Sequence, residues 1–452
     1  MTGVPRSRRA APVRRPYPRT GTGGPGTGAL RAAAALLLLL SCADALGHGI
    51  SAPGVAAAFA AVIAVGERVR VTLPGDREQA PIGTAVALAY ALLGPLHGLP
   101  TTHGAAQVLA VVGVGTLAGL VPVNGRRHRH RRRRPEPDRV DGAVRRLLTV
   151  GFAALLFQPL YNSGALDQLP LAGPAYGVFL TGVAVLAALC DATLAAVQRR
   201  ARTGLRFGAA LEDELRSLLG IGSAIAATGM LISLLAGEVG LWALPLFCAP
   251  LLLAQASFRR AAAVRATTGQ TIETLARATE VAGYTPPGHA RRVADTACEL
   301  GRELGLGSRD LALLEYAALM HDIGQLSLVE PVPGGATALL PQPEQQRIAR
   351  LGSEVISRTG VPRQVVGQVA RLADPCRRPD GGADRTLPLA ARIIRVANAF
   401  DDLSAAARGR GLTEQAGRQE VLELLRAEGG LLYDPKVLDA LARSVAAVHR
   451  PD

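Results

Sequence analysis

His321 and Asp322 stand side by side at the end of an apolar helical pattern. His321 lies seven residues after Leu314 and therefore falls on the buried face of the same helix. Another histidine, His289, opens the preceding amphipathic pattern. A buried histidine beside a buried aspartate is unfavourable unless the pair binds a cation or another partner. Neutral imidazole nitrogens and a carboxylate oxygen suit a divalent transition metal. The alternative is structural: His321 caps a helix and Asp322 begins a turn.

Two helices must position these side chains. The first begins near His289, and its apolar residues recur on one face; they are Val293, Ala297, Leu300 and Leu304. Two glycines end it, and Ser308 can cap the second helix. The apolar side of the second helix consists of Leu311, Leu314, Ala317 and Ala318. The short turn requires antiparallel packing, which brings His289 and the His321-Asp322 pair into one interior region.

The residues around these positions resemble the HD-GYP domains of the HD phosphohydrolases. The stretch from Thr271 to Leu328 contains a YT turn, H-x-x-R-V and A-x-x-H-D-I-G, matched by His289, Arg292, Val293, Ala318, His321, Asp322, Ile323 and Gly324. The segments 387–403 and 433–441 resemble the family's I-P-x-x-A-R-I-x-x-V-A-D-A-F-D-A-L and its closing F-D-P-x-V-V-x-x-L. The matching segments fall in the family's order.

The resemblance implies an all-α bundle over residues 285–446 that hydrolyses phosphodiesters, with cyclic di-GMP as the usual substrate. Carried onto the matching positions, it implies a divalent metal, Mn, Fe or Mg, held by His289, His321, Asp322 and Asn398. Asp322 is the implied catalytic residue. The metal would polarise the phosphate and lower the pKa of an attacking water.

The chain departs from the family pattern at several positions. The last aspartate ligand falls on Asn398, which offers a carbonyl oxygen without negative charge, and Gln325 replaces the lysine of HDIGK. Between residues 366 and 387 neither the HHE nor the GYP motif occurs, and no histidine lies between His321 and His449. A site with two or three metals therefore cannot be assembled, whereas a single-metal site remains. Asp402 is an extra carboxylate, for which a solvated helix position is expected.

The N-terminal half has the composition of a membrane protein. Apolar residues make up 49% of the chain and charged residues 19%, and the apolar runs are concentrated in residues 29–257. A spanning helix needs about 20 mostly apolar residues. Eight spans are predicted, at 29–47, 51–66, 81–98, 104–123, 147–163, 174–198, 218–236 and 240–257. Residues 1–28 are basic and predicted to be disordered; an uncleaved first span is favoured over a signal peptide.

Arginine placement predicts the topology. Every basic loop (67–80, 124–146 and 199–217) falls on the same side as the basic N-terminus, and the alternate joins contain no Lys or Arg. Because cytoplasmic loops carry the positive charge, both termini are predicted to be cytoplasmic in a multi-pass protein of the cell membrane. The cluster Arg126 to Arg134 is interpreted as a topology determinant against the lipid bilayer. Nucleic acid is not an expected partner, although the net charge is +14.

Residues 258–284 predict one helix that leaves the membrane. Ile272, Leu275, Thr279 and Ala282 share a face of it at helical spacing. This stripe favours a homodimer through the linker helix, with a simple spacer as the alternative.

Three classes of function follow from these patterns. The missing ligands favour a membrane-anchored signalling protein whose HD-type domain has lost cyclic di-GMP cleavage and serves as a sensing or partner-binding module. The intact His289, His321 and Asp322 positions support the alternative, an active single-metal phosphohydrolase acting on a nucleotide, cyclic dinucleotide or other phosphate ester. A transporter is a minor alternative, because only the spans support it.

Overall fold

A computed structural model describes residues 25–73, 77–121, 137–166, 174–378, 381–382 and 384–447. These residues are almost entirely helical, in agreement with the all-α expectation. The exception is one antiparallel ribbon in which β1 (Val71–Leu73) pairs with β2 (Arg77–Gln79). The basic segment 1–24 and the Arg126 to Arg134 cluster, for which disorder and a membrane-surface role are predicted, lie outside the described residues.

The N-terminal region consists of eight helices and the first part of a ninth. They are α1 (Pro25–His48), α2 (Pro53–Arg68), α3 (Pro81–Ala91), α4 (Ala105–Leu120), α5 (Pro137–Asn162), α6 (Pro174–Thr203), α7 (Phe207–Ser217), α8 (Ser223–Val239) and α9 (Ala243–Val281). One π-helical turn, Leu218–Gly222, joins α7 to α8, and Gly220 within it has a non-helical backbone.

Three helical stretches of the described chain are long and apolar enough to cross a membrane: Gly26–His48, Pro174–Thr203 and Phe207–Val281. The helices α3 and α4 are also apolar but shorter. Large apolar side chains point outward on the long helices, including Leu39 (69% exposed) and Leu253 (73% exposed). Such surfaces fit contact with lipid. The count of eight spans stays a prediction.

The helix α3 is shorter than the predicted span 81–98 because of Pro95. A proline ring clashes with the carbonyl group four residues earlier and has no N–H to donate. The fourth residue before Pro95 is Ala91, where α3 ends. Eleven residues of helix rise only about 17 Å, which is less than the thickness of a bilayer core.

The helix α9 runs without a break from the membrane region to the C-terminal region. The stripe that the sequence offers for dimerisation is already used within the chain: Ile272 is 0% and Thr279 2% exposed. Ile272 and Ala276 belong to the apolar core of the C-terminal region. The buried residues of the predicted stripe, Ile272 and Thr279, therefore cannot contact a second copy of the chain unless α9 separates from that core. A homodimer stays a prediction and needs another face.

The C-terminal region is a bundle of seven helices. They are α10 (His289–Glu303), α11 (Ser308–Leu319), α12 (Gln342–Ser357), α13 (Arg363–Ala370), α14 (Leu389–Gly409), α15 (Glu414–Ala427) and α16 (Pro435–Ala447). Short 3₁₀ turns at Ile323–Ser327, Pro333–Gly335 and Thr337–Leu339 lie between α11 and α12. α10 and α14 pack on α11, and the core between them is apolar.

Helices α6 and α7 of the N-terminal region also contribute to the core of this bundle. Ala196 on α6, and Leu205 and Ala210 around the start of α7, lie in the same buried cluster as the bundle core. The backbone N–H of Ser308, at the start of α11, donates to Asp213 Oδ2 of α7 at 2.9 Å. The beginning of α11 is therefore held by α7, while its other end leads directly into His321-Asp322.

Candidate metal centre

Three helices bring the predicted ligands together. His289 is the first residue of α10, placed there by Gly288, whose φ of +77° favours glycine. His321 and Asp322 follow the last residues of α11. Asn398 lies in the middle of α14. All four side chains are buried, with exposures of 1% for His289 and His321, 3% for Asp322 and 5% for Asn398.

Four donor atoms of these residues converge. His289 Nε2 lies 3.2 Å from His321 Nε2 and 3.3 Å from Asp322 Oδ2. His321 Nε2 lies 3.3 Å from Asp322 Oδ2 and 3.1 Å from Asn398 Oδ1. A metal about 2.1 Å from each donor would separate neighbouring donors by about 3.0–3.4 Å. The measured separations therefore match those of ligands around one cation.

Hydrogen bonds fix which nitrogen of each imidazole faces the cluster. His289 Nδ1 donates to Asp401 Oδ2 at 2.8 Å, and His321 Nδ1 donates to the Ala318 carbonyl at 2.8 Å. In the neutral rings both Nε2 atoms then carry lone pairs directed at each other and at Asp322. A carboxylate or carbonyl on the far nitrogen is the usual support of a metal-binding histidine. The arrangement favours a cation between the rings.

Asp322 and Asn398 are oriented by one hydroxyl group. Thr337 Oγ1 donates to Asp322 Oδ1 at 3.1 Å and accepts from Asn398 Nδ2 at 3.0 Å. This leaves Asn398 Oδ1 directed at the cluster. Asp322 Oδ2 is buried, its neighbours are the two Nε2 atoms at 3.3 Å, and among the described residues it accepts no hydrogen bond while both rings are neutral. An orphaned buried carboxylate oxygen is unfavourable unless a cation or proton balances it, so the donor set fits a divalent metal.

The electrostatics of the cluster show why a positive charge belongs in it. Burial opposes charge on His289, but hydrogen bonds to Asp322 and Asp401 raise its pKa to about 10. The pKa of His321 is raised as well: its burial is outweighed by the Asp322 carboxylate. Although fully buried, Asp322 has a pKa well below its usual range because both histidines adjoin it. Asp322 is therefore ionised near neutral pH, and its negative charge can balance a cation.

Asp401 supports His289 from outside the cluster. Its carboxylate accepts two hydrogen bonds from Arg292, at 2.8 and 2.9 Å, besides the one from His289. These partners outweigh burial and lower the pKa of Asp401 to about 2. Arg292 thus fixes Asp401, and Asp401 fixes the ring of His289. Arg292 falls on the H-x-x-R-V pattern of the sequence, but its role does not follow from that pattern.

Asp402 is not the solvated helix residue that was expected. It is 5% exposed, and its Oδ2 accepts the backbone N–H of Ala338 at 3.0 Å. The reason is helical spacing, because Asp402 lies four residues after Asn398 and shares its face of α14. Burial raises the pKa of Asp402 to about 6. Its Oδ1 lies 3.8 Å from His289 Nδ1.

The described part of the region where the related domains carry further histidines supplies no metal ligand. Groups of His, Cys, Asp and Glu that could hold a metal occur in the described residues only around His289, with His321 and Asp322 or with Asp401 and Asp402. Gln325 is 0% exposed, and its amide donates to the Gly335 carbonyl at 3.4 Å. The cation expected at this position is therefore replaced by a neutral buried amide.

A small cavity adjoins the cluster. Its volume is about 20 Å³, and its walls are His321, Asp322, Thr337, Ala338, Gln345, Ile348, Ala349, Leu372, Arg395, Asn398, Ala399 and Tyr433. Sequence reasoning missed Thr337 and Arg395 as parts of the site. Arg395 could have been found from the sequence, because it lies three residues, about one helical turn, before Asn398. No sequence pattern indicates Thr337.

Comparison with known proteins agrees with this geometry. Residues 280–437 match the family model of an HD domain. The chain is 31% identical over 189 residues to the cyclic di-GMP phosphodiesterase response regulator RpfG of Xanthomonas campestris pv. campestris (strain 8004), covering 40% of this chain and 49% of that protein. It is 25% identical over 177 residues to a cyclic di-GMP phosphodiesterase of Thermotoga maritima, covering 36% of this chain and 46% of that protein.

The chain thus spans about half the length of the curated relatives it matches. The matched region contains all four residues of the converging cluster. Residues 280–437 therefore match an HD domain and are similar to part of two cyclic di-GMP phosphodiesterases.

Proposed function

We propose that this protein is a membrane-anchored signalling enzyme whose HD domain is a single-metal phosphohydrolase acting on a nucleotide or cyclic dinucleotide. The observation that carries the proposal is the convergence of His289 Nε2, His321 Nε2, Asp322 Oδ2 and Asn398 Oδ1 at separations of 3.1–3.3 Å. The HD-GYP-like motifs and the names of the two relatives support cyclic di-GMP as the first substrate to test. The long apolar helices support the membrane anchor.

In this proposal the residues of the site divide into metal ligands, residues that orient the ligands and a carboxyl that exchanges protons. His289, His321, Asp322 and Asn398 hold one divalent metal, Mn, Fe or Mg. When bound, such a metal supplies Lewis acidity towards a phosphoryl oxygen and lowers the pKa of an attacking water. Asp322 holds negative charge at the reacting centre, while Asp401 and Thr337 orient the ligands. Asp402, with its pKa near 6, is the carboxyl of the site best matched to proton exchange near neutral pH.

Metal analysis of the purified full-length protein tests this function. We expect close to one divalent metal per chain, lost in His321→Ala and retained in His48→Ala, which removes an exposed histidine of α1. The loaded protein should hydrolyse cyclic di-GMP, and Asp322→Asn should lower the rate at least about a hundredfold. A wild-type protein with less than about a tenth of a metal per chain, unchanged by His321→Ala, would refute the single-metal site.

A second candidate is a binding module that does not hydrolyse its ligand. One observation that favours it is the size of the cavity beside the cluster, since about 20 Å³ cannot take a nucleobase. Another is that the Thr337 hydroxyl already forms hydrogen bonds with both Asp322 and Asn398. In this alternative the metal orders the fold and the chain responds to binding. Metal retention with cyclic di-GMP binding but no product would favour it.

A further inference from the structure

Arg395 is a buried cation on the wall of the cavity beside the metal centre. It is 7% exposed and lines the same cavity as His321, Asp322 and Asn398. Arginine is rarely buried without a carboxylate or another anion to pair with. Its guanidinium remains charged even when burial lowers its pKa, as it does here.

The described residues leave part of this guanidinium unsatisfied. Nη1 donates to the Ala373 carbonyl, and the group lies 5.7 Å from the centre of the Tyr433 ring. Nε is buried without a hydrogen-bond partner in the described part of the chain. Two other arginines of the domain differ in having carboxylate partners. Arg392 Nε also has no hydrogen-bond partner among the described residues, but Nη1 pairs with Asp434 at 2.5 Å, and Arg371 pairs with two aspartates. Arg395 has no such ion pair among the described residues.

Arg395 is a positive charge beside a cluster that lacks the lysine of the related motif. Gln325 replaces the lysine of the related motif, and it is a neutral amide bonded to a backbone carbonyl. The cavity is lined both by residues of the cluster and by Arg395 and Tyr433. A single water needs roughly 10–15 Å³, so a cavity of about 20 Å³ has room for one or two oxygens of a phosphate and none for a nucleoside.

We propose that Arg395 is a substrate-binding residue that donates to a phosphate oxygen of an ester entering the cavity phosphate-first. The inference rests on the proposed phosphohydrolase function and deepens it. The guanidinium fork matches the geometry of phosphate oxygens. One part of the phosphate faces His321, Asp322 and Asn398, another faces Arg395, and the rest of the substrate stays outside.

Calorimetric binding of inorganic phosphate to the full-length, metal-loaded protein tests this role. We expect Arg395→Met to weaken phosphate binding at least about tenfold and to leave the metal content unchanged. Arg395→Lys keeps the charge but loses the fork, so its affinity should fall between these two. The matched control is Arg408→Met, an exposed arginine near the end of the same helix, which should bind phosphate like the wild type.

The outcomes separate the two proposals. A wild-type protein without metal would overturn both the phosphohydrolase function and the role of Arg395. Metal retention with unchanged phosphate affinity in Arg395→Met would overturn the role of Arg395 alone. If Arg395 were purely structural, both substitutions would lower the melting temperature, and Arg395→Lys would bind phosphate as tightly as the wild type. This second variant keeps the inference falsifiable if Arg395→Met fails to fold.

Discussion

In the proposed metal centre, Asn398 offers an amide oxygen where the related motif has a carboxylate. We predict that Asn398→Asp raises the affinity for a divalent metal at least about tenfold, because the added negative charge lies beside the cation in a buried site. The same variant should be less stable without metal, since the Thr337 hydroxyl cannot donate to two carboxylates at once. Metal titration and thermal unfolding of both forms measure the two effects. Equal metal affinity in wild type and variant would place Asn398 outside the ligand set.

The raised pKa of His289 predicts a pH dependence. Its folded value of about 10 lies above the ordinary histidine value of about 6.5, so without metal this residue stabilises the fold fully below pH 6.5. That stabilisation is lost as the pH rises through 10. Metal binding must displace the proton, so metal affinity should rise over the same range. Thermal unfolding with and without metal from pH 6.5 to 10 measures both trends. A metal-free melting temperature that rises with pH would contradict this assignment.

The residues of the site differ in how far sequence could predict them. His289, His321 and Asp322 stand in recognisable local patterns, and the structure brings them together with Asn398. Asp402 was misread, although its four-residue distance from Asn398 indicated the same helix face. Thr337 could not be found, because it reaches Asp322 and Asn398 from an irregular segment whose path depends on tertiary packing.

At the scale of elements, α11 leads into two of the proposed metal ligands at its end and is held by α7 at its beginning. Gly307, which precedes α11, has no side chain to cap the helix, and Asp213 accepts the Ser308 N–H instead. We predict that Asp213→Ala destabilises the protein by about 1 kcal/mol, the usual effect of losing a cap. Glu212→Ala is the matched control, because the Glu212 side chain is 62% exposed and pairs with Arg216 on the surface of α7. Equal melting temperatures for the two variants would show that the cap has no effect.

Helix ends followed local rules where those rules were strong. Pro95 ends α3 at Ala91, so the predicted span 81–98 was too long, and a closer reading of that proline would have shortened it. The two glycines after α10 fall in the predicted turn, but the prediction that Ser308 caps α11 was wrong: Gly307 occupies the cap position, and Ser308 is the first residue of the helix. The capping of α11 by Asp213 could not be inferred, because the partners are 95 residues apart.

At the scale of the whole molecule, the distribution of arginine predicts both termini in the cytoplasm. We expect alkaline phosphatase to be inactive when fused after the C-terminus or within the loop 124–136, and active when inserted at residues 99–103. This enzyme gains activity only after export, so its pattern reports the side of each loop. An active fusion at the C-terminus would contradict the topology and would place the HD domain outside the cell.

Residues of α6, α7 and α9 are buried in the core of the C-terminal bundle, and this limits where the chain can be joined to another protein. The family model begins at residue 280, yet Ala196, Leu205, Ala210 and Ile272 belong to the same buried core. A chimera that joins residue 280 to a foreign sensor would leave those contacts behind and expose the apolar surface they cover. The HD domain and helices α6 to α9 therefore form one structural unit, and a chimera should fold only if its junction lies before α6.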